Sequence, residues 1–193
     1  TICTLCEKGC STTVWIKAKP EWAKGSQLVR TTPRFNPEVN GYWMCDIGRF
    51  DYHWVESDLR LAQPVMRRGA AMAEPVSWAD ALAAAGQALK AAGANVRVLA
   101  SAHASHEELF LAARLAQELL GDAARDAIGV SWTSSHKPQP ETTTFKVPEV
   151  NAPNVAGAAV LARALAGART PALESLKASV ATGQGLVVYV LDP

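Results

Sequence analysis

The chain lacks any run of about 18 apolar residues, which excludes a transmembrane helix as the way it meets a membrane. It also lacks an excess of either charge: 19 Lys+Arg stand against 18 Asp+Glu, a formal net charge of +1. That balance offers no electrostatic footprint for nucleic acid or anionic lipid. Neither G-x-G-x-x-G nor G-x-x-x-x-G-K-[ST] occurs, so the two common phosphate-cradling loops are missing. Aromatic residues are sparse, at 7%, and much of the 49% hydrophobic content is alanine, which favours helices but packs thinly. The apolar fraction still suffices for a buried core and argues against disorder. No secretory leader is recognisable. The first residue is Thr1 and a cysteine follows two positions later, so the 193 residues are expected to be a piece of something longer.

What the chain does have is a small, uneven set of cysteines. Three fall in Cys3-Thr-Leu-Cys6-Glu-Lys-Gly-Cys10 and the fourth is Cys45, giving C-x2-C-x3-C, 34 intervening residues, then C. Disulfides fit this spacing poorly, because three thiols within one short loop cannot pair locally without strain. Structural zinc commonly takes two separated pairs, whereas these ligands divide three plus one. A [4Fe–4S] cube spreads its irons over several ångströms; one tight loop can reach three of them, and a distant segment supplies the fourth ligand. Gly9, beside the third thiol, lets the backbone turn closely. The cluster is therefore the favoured reading, with zinc and core thiols as the alternatives. The Cys45 segment, Gly41-Tyr-Trp-Met-Cys45-Asp-Ile-Gly-Arg-Phe50-Asp-Tyr-His-Trp54, is the most aromatic stretch. Its rings are expected to shield a cluster from water and also to furnish the core of a small module. His53 is read as a surface or packing residue and Asp46 as a local cap.

These residues resemble the N-terminal iron–sulfur module of the molybdopterin oxidoreductase superfamily, and within it the G-type large iron–sulfur subunit of NADH:quinone oxidoreductase, complex I. The resemblance is carried by Cys6-Glu-Lys-Gly-Cys10-Ser-Thr-Thr-Val, by Arg34-Phe-Asn-Pro-Glu-Val-Asn40-Gly-Tyr-Trp-Met-Cys45-Asp-Ile-Gly-Arg-Phe50, and by Arg60-Leu-Ala-Gln-Pro64. Ser105-His-Glu-Glu108-Leu and Asn151-Ala-Pro-Asn154-Val-Ala-Gly157-Ala are weaker echoes. It implies a [4Fe–4S] cluster held by Cys3, Cys6, Cys10 and Cys45, in an electron-transfer component of an NADH dehydrogenase complex with no substrate site of its own. Partners implied are a flavin-containing NADH-oxidising subunit and a [2Fe–2S] subunit. Residence would be cytoplasmic, peripheral on the inner membrane through those partners and without insertion of this chain. Molybdopterin itself is not expected. Superfamily members that use it commonly place Lys or Arg two residues after the fourth cysteine, where this chain has Ile47, and 193 residues cannot build the domains that enclose it. The other readings are the front part of a formate dehydrogenase or related molybdopterin enzyme, and a zinc-stabilised assembly domain.

The expected fold class is α/β: a β-rich [4Fe–4S] module over residues 1–75, then a reduced, doubly wound α/β domain of molybdopterin-oxidoreductase type over 76–193. Strands are expected at 11–17 and 26–31, with a short helix from Gly48. After residue 76 the apolar periodicity changes to helix–strand alternation. Ser77 caps a helix ending near Gly93, and Asn95–Ser101 forms a strand. A capping box at Ser105 and Glu108 opens a helix that stops at Gly121. Ala127–Ser131 and Leu186–Leu191 are further strands, and helices are expected at 154–166 and 171–182. Residues 133–153, with four prolines, should be a long loop. Ser101, His103 and His106 lie at a strand end but have no acidic partner in the pattern, and capping accounts for Ser105 and Glu108.

Overall fold

The computed structural model describes residues 1–19, 27–166, 181–182 and 187–191. It is a mixed α/β structure with small sheets, and its residues fall into two compact units. The first comprises Thr1–Arg60 and Trp132–Ala156; the second comprises Leu61–Ser131 and the described residues from Gly157 onward.

In the first unit, β1 (Thr12–Ile16) pairs antiparallel with β2 (Leu28–Pro33), with an irregularity between Trp15 and Ile16. The β-branched run Thr12-Thr-Val-Trp-Ile16 suits a pleated strand, and the sheet buries Thr12 and Thr31 while Val14, Trp15 and Ile16 remain exposed. A tight turn follows, in which the carbonyl of Asn36 accepts from Asn40 N at 3.1 Å and Gly41 N at 2.6 Å. Gly41 has φ +53°, a conformation glycine reaches without penalty. Helix α1 (Asp46–Phe50) leads to a 3-10 turn at His53–Glu56. The 3-10 turn and the residue that opens it are tied back to β2 and its approach: Tyr52 Oη donates to the carbonyl of Val29 at 2.8 Å, and the Glu56 carboxylate accepts from the backbone of Gln27 and Leu28.

Residues 132–156 return to this same unit. The segment lacks regular strands because Pro138, Pro140 and Pro148 remove ladder donors. Side chains take over the task. Lys137 Nζ donates to the Pro148 carbonyl and to Asn151 Oδ1, both at 2.6 Å. Gln139 both donates to the carbonyl of Val147 and accepts from its N–H, at 2.7 Å each. At its base Ser135 N bonds the Glu149 carbonyl at 2.9 Å. The apolar periodicity changes at residue 76, while by compactness residues 132–156 belong with the cysteine-bearing unit, in which Glu7 N donates to the Val150 carbonyl at 3.4 Å.

The second unit opens with a short antiparallel pair, β3 (Val65–Met66) and β4 (Glu74–Pro75). Then come α2 (Trp78–Ala92), β5 (Val96–Ser101), α3 (His106–Leu120), α4 (Ala124–Ala127), β6 (Ile128–Ser131), α5 (Val155–Ala166, its first two residues counted with the first unit) and β7 (Val187–Leu191). The three strands β5, β6 and β7 form a parallel sheet in the order β6-β5-β7, so the strand order reverses at β5. The expected strands and helices after residue 76 are found within a residue or two. The helix expected at 171–182 lies outside the described residues except for 181–182. The core is thin and alanine-rich: Val96, Val98 and Ile128 meet Ala112, Ala113, Ala116 and Ala124, with Leu89, Leu119 and Tyr189 packed around them. Leu109, Ala112, Ala113 and Ala116 line one stripe of α3, the 3–4 spacing of a helix face set against a sheet.

Candidate metal centre

The three-cysteine loop is closed by a backbone bond from Cys3 N to the Cys10 carbonyl at 2.8 Å. On either side of it Thr1 and Thr12 exchange hydrogen bonds at 2.9 Å, and Ile2 bridges Ser11, so the loop is carried on an extension of β1. Gly9 makes the turn into the third cysteine with φ +61°. Cys6 and Cys10 are buried; Cys3 and Cys45 are half-buried. None of the four is in a disulfide.

Cys45 arrives from another segment as the N-cap of α1, its Sγ accepting from Gly48 N at 3.5 Å. Asn40, 3% exposed, fixes that approach. Its Oδ1 accepts from Ser11 N at 2.9 Å, and its amide donates to the carbonyls of Trp43 at 3.0 Å and Arg34 at 3.3 Å. One side chain thus joins the residue after Cys10 to the residues before Cys45. The two segments meet at Gly48: a Cβ there would lie 3.1 Å from Cys3 Sγ and Met44 Cε, and 3.9 Å from Cys45 Sγ. Neither Asn40 nor Gly48 stood out in the sequence as a site residue. The only hint was their place in the motif lines, one before a turn glycine and one just past the fourth cysteine.

The thiols sense one another. Burial pushes Cys10 up to about 11, and neighbouring Cys6, Cys3 and Cys45 push the same way while Lys8 opposes them. Burial raises Cys3 as well, with Cys6 and Cys45 adding to the rise and a hydrogen bond from the Leu5 backbone lowering it. Four thiols are therefore brought into mutual electrostatic reach, with free sulfur lone pairs and no covalent link among them. Among the described residues, no group of three or more His, Cys, Asp or Glu is placed so that it could hold a metal ion.

The aromatic rings expected over the cysteines lie largely at the surface. Phe35 stacks on Tyr42 with centroids 4.3 Å apart, and both are exposed, as are Trp43 and Phe50. The buried positions of this stretch belong instead to Met44 and Gly48, with Asn40 buried just before it. His53 is exposed against Tyr52. Beside Cys3 and Gly48 a cavity of about 200 Å³ opens between β1, β2 and the 3-10 turn, lined by Val14, Leu28, Tyr52 and Trp54 among others. In the second unit, Ser101 Oγ accepts from His103 N and Ser105 caps α3, while His103 and His106 are exposed. Among the described residues no helix is long and apolar enough to cross a membrane.

No protein-family model matches the chain. Similarity to individual proteins is clear. The chain is 35% identical over 120 residues to NADH-quinone oxidoreductase subunit 3 of Thermus thermophilus, covering 62% of this chain and 14% of that protein. It is 30% identical over 119 residues to the G subunit of NADH-quinone oxidoreductase from Streptomyces coelicolor, covering 62% and 13%. A putative formate dehydrogenase of Staphylococcus aureus is 28% identical over 126 residues, covering 63% and 12%. The chain thus spans about one seventh, or less, of the length of these relatives. The matches bear out the resemblance drawn from the cysteine lines: over that shared stretch, the chain is similar to subunits of NADH-quinone oxidoreductase and to formate dehydrogenase-like proteins.

Proposed function

We propose that Cys3, Cys6, Cys10 and Cys45 hold one [4Fe–4S] cluster, and that the chain acts as an electron-transfer element of an NADH-oxidising complex. The observation that carries this reading is the meeting of the two cysteine segments at Gly48, where a side chain would fill the space beside Cys3 and Cys45. The donor set fits the group: four thiols, none oxidised to a disulfide. A single zinc ion would draw every sulfur to about 2.3 Å from one point and commonly takes two separated pairs. A cube takes each sulfur at a separate iron, which suits ligands divided three plus one along the chain.

When bound, such a cluster supplies one-electron transfer without bond making. The residues of this chain fix its position through the Cys3–Cys10 loop bond and Asn40, and set its surroundings through Met44 and the Gly48 N–H bond to Cys45 Sγ. Hydrogen bonds to sulfur and burial are the levers that tune such centres. The relatives are named as subunits of NADH-quinone oxidoreductase, which supports assembly into a multi-subunit complex; its flavin-bearing and [2Fe–2S]-bearing subunits are the partners we propose. The formate dehydrogenase reading is the less favoured one, since Ile47 is aliphatic and half-exposed where a cationic residue would face a pterin.

The test is anaerobic iron and acid-labile sulfide analysis, with EPR of the dithionite-reduced chain. About four irons and four sulfides with an S = 1/2 signal are expected. Each Cys→Ser exchange should lower iron content or alter that signal. One zinc per chain and no signal would replace the electron-transfer reading with a scaffold.

A further inference from the structure

The three-cysteine loop is braced from far along the chain. Glu7 N donates to the Val150 carbonyl at 3.4 Å, and the next residue, Lys8, sets its ammonium over the Phe145 ring, 4.9 Å from the centroid. Lys8 lies between Cys6 and Cys10, within the three-cysteine loop that the Cys3 N to Cys10 carbonyl bond closes. It takes part in none of the ion pairs among the described residues. A lysine on a flexible stem would otherwise distribute its charge over many positions; the negative face of an aromatic ring selects one of them.

Resting on the cluster reading above, we propose that Phe145 is a positioning residue that holds Lys8 as a fixed positive charge beside the cluster and thereby raises its reduction potential. A [4Fe–4S] centre held by four thiolates would carry −2 before and −3 after taking one electron from a reduced viologen mediator, which is oxidised from radical cation to dication. No proton moves and no bond changes. A fixed cation stabilises the −3 state more than the −2 state, and at the distances of one loop that difference is about threefold or more in the equilibrium constant for reduction.

The experiment is an anaerobic redox titration of the full chain with dithionite and mediators, read by EPR, alongside iron and sulfide content. Lys8→Gln should lower the equilibrium constant about threefold, equivalent to a midpoint about 30 mV more negative at 59 mV per tenfold for one electron. Lys8→Arg should stay near the wild type. Phe145→Leu should shift the midpoint the same way by less, Phe145→Tyr should preserve it, and Phe145→Leu should add nothing in a Lys8→Gln background. A loaded Lys8→Gln chain with an unmoved midpoint overturns this inference alone, as does a Phe145→Leu shift that is fully additive to it. A wild-type chain that takes up no cluster overturns the proposed function and this inference together.

Discussion

Gly48 sits where two opposite effects can be weighed. Alanine is the better helix former by about 0.5–1 kcal/mol, but its Cβ would stand 3.1 Å from both Cys3 Sγ and Met44 Cε. Overpacking of that kind costs about 1–3 kcal/mol, and a sulfur engaged as a ligand has less freedom to yield. Gly48→Ala is therefore expected to lower the unfolding midpoint and the iron retained per chain, both read on purified protein. Asn40 is a second such residue. Asn40→Ala leaves the Ser11 N–H and the carbonyl of Trp43 without their partner, at about 1–3 kcal/mol for buried groups; iron loading should fall although no ligand has changed. The Cys10 thiol yields a pH dependence. Its pKa in the folded chain, about 11 against an ordinary 9.0, means the folded form binds the proton more tightly. Stability of the metal-free chain is thus unaffected below about pH 9 and declines between 9 and 11. Urea midpoints across that range should fall more for the wild type than for Cys10→Ala.

The capping box of α3 is an element that sequence reasoning reads well. Ser105 Oγ accepts from Glu108 N at 3.2 Å and Glu108 Oε2 accepts from Ser105 N at 2.7 Å. Ser105→Ala should cost about 1 kcal/mol in urea unfolding, since α3 presents Leu109 and three buried alanines to the core beside β5. Local signals of this sort, a cap residue, a β-branched run, a glycine stop, made the strands and helices after residue 76 legible before any coordinates. The segment 132–156 was not legible in that way. Its order comes from Lys137, Gln139 and Asn151 bonding across the loop, and neither periodicity nor propensity encodes such pairings. The cysteines could be picked out by type and spacing. Asn40 and Gly48 could not, because one acts by reaching across two segments and the other by the absence of an atom. The aromatic stretch shows the reverse error: rings suggested a shielded interior, and the backbone turned Tyr42, Trp43 and Phe50 outward.

At the scale of the molecule, each compact unit is built from two separated stretches of chain. Replacing residues 136–148 by a short Gly-Ser bridge keeps the paired ends, Ser135 and Glu149, but removes Phe145, Lys137 and Gln139. Iron per chain should then drop several-fold while far-UV circular dichroism retains the helices of the second unit. The same discontinuity has a consequence for biosynthesis. Cys45, the last of the four thiols, is translated 111 residues before Ala156, which completes the unit that surrounds them. At about 5–20 residues per second, the cysteines spend on the order of ten seconds translated but unhoused. During that interval they are exposed to oxidants and stray metal ions, and on the proposed cluster reading delivery is expected to follow completion of the unit.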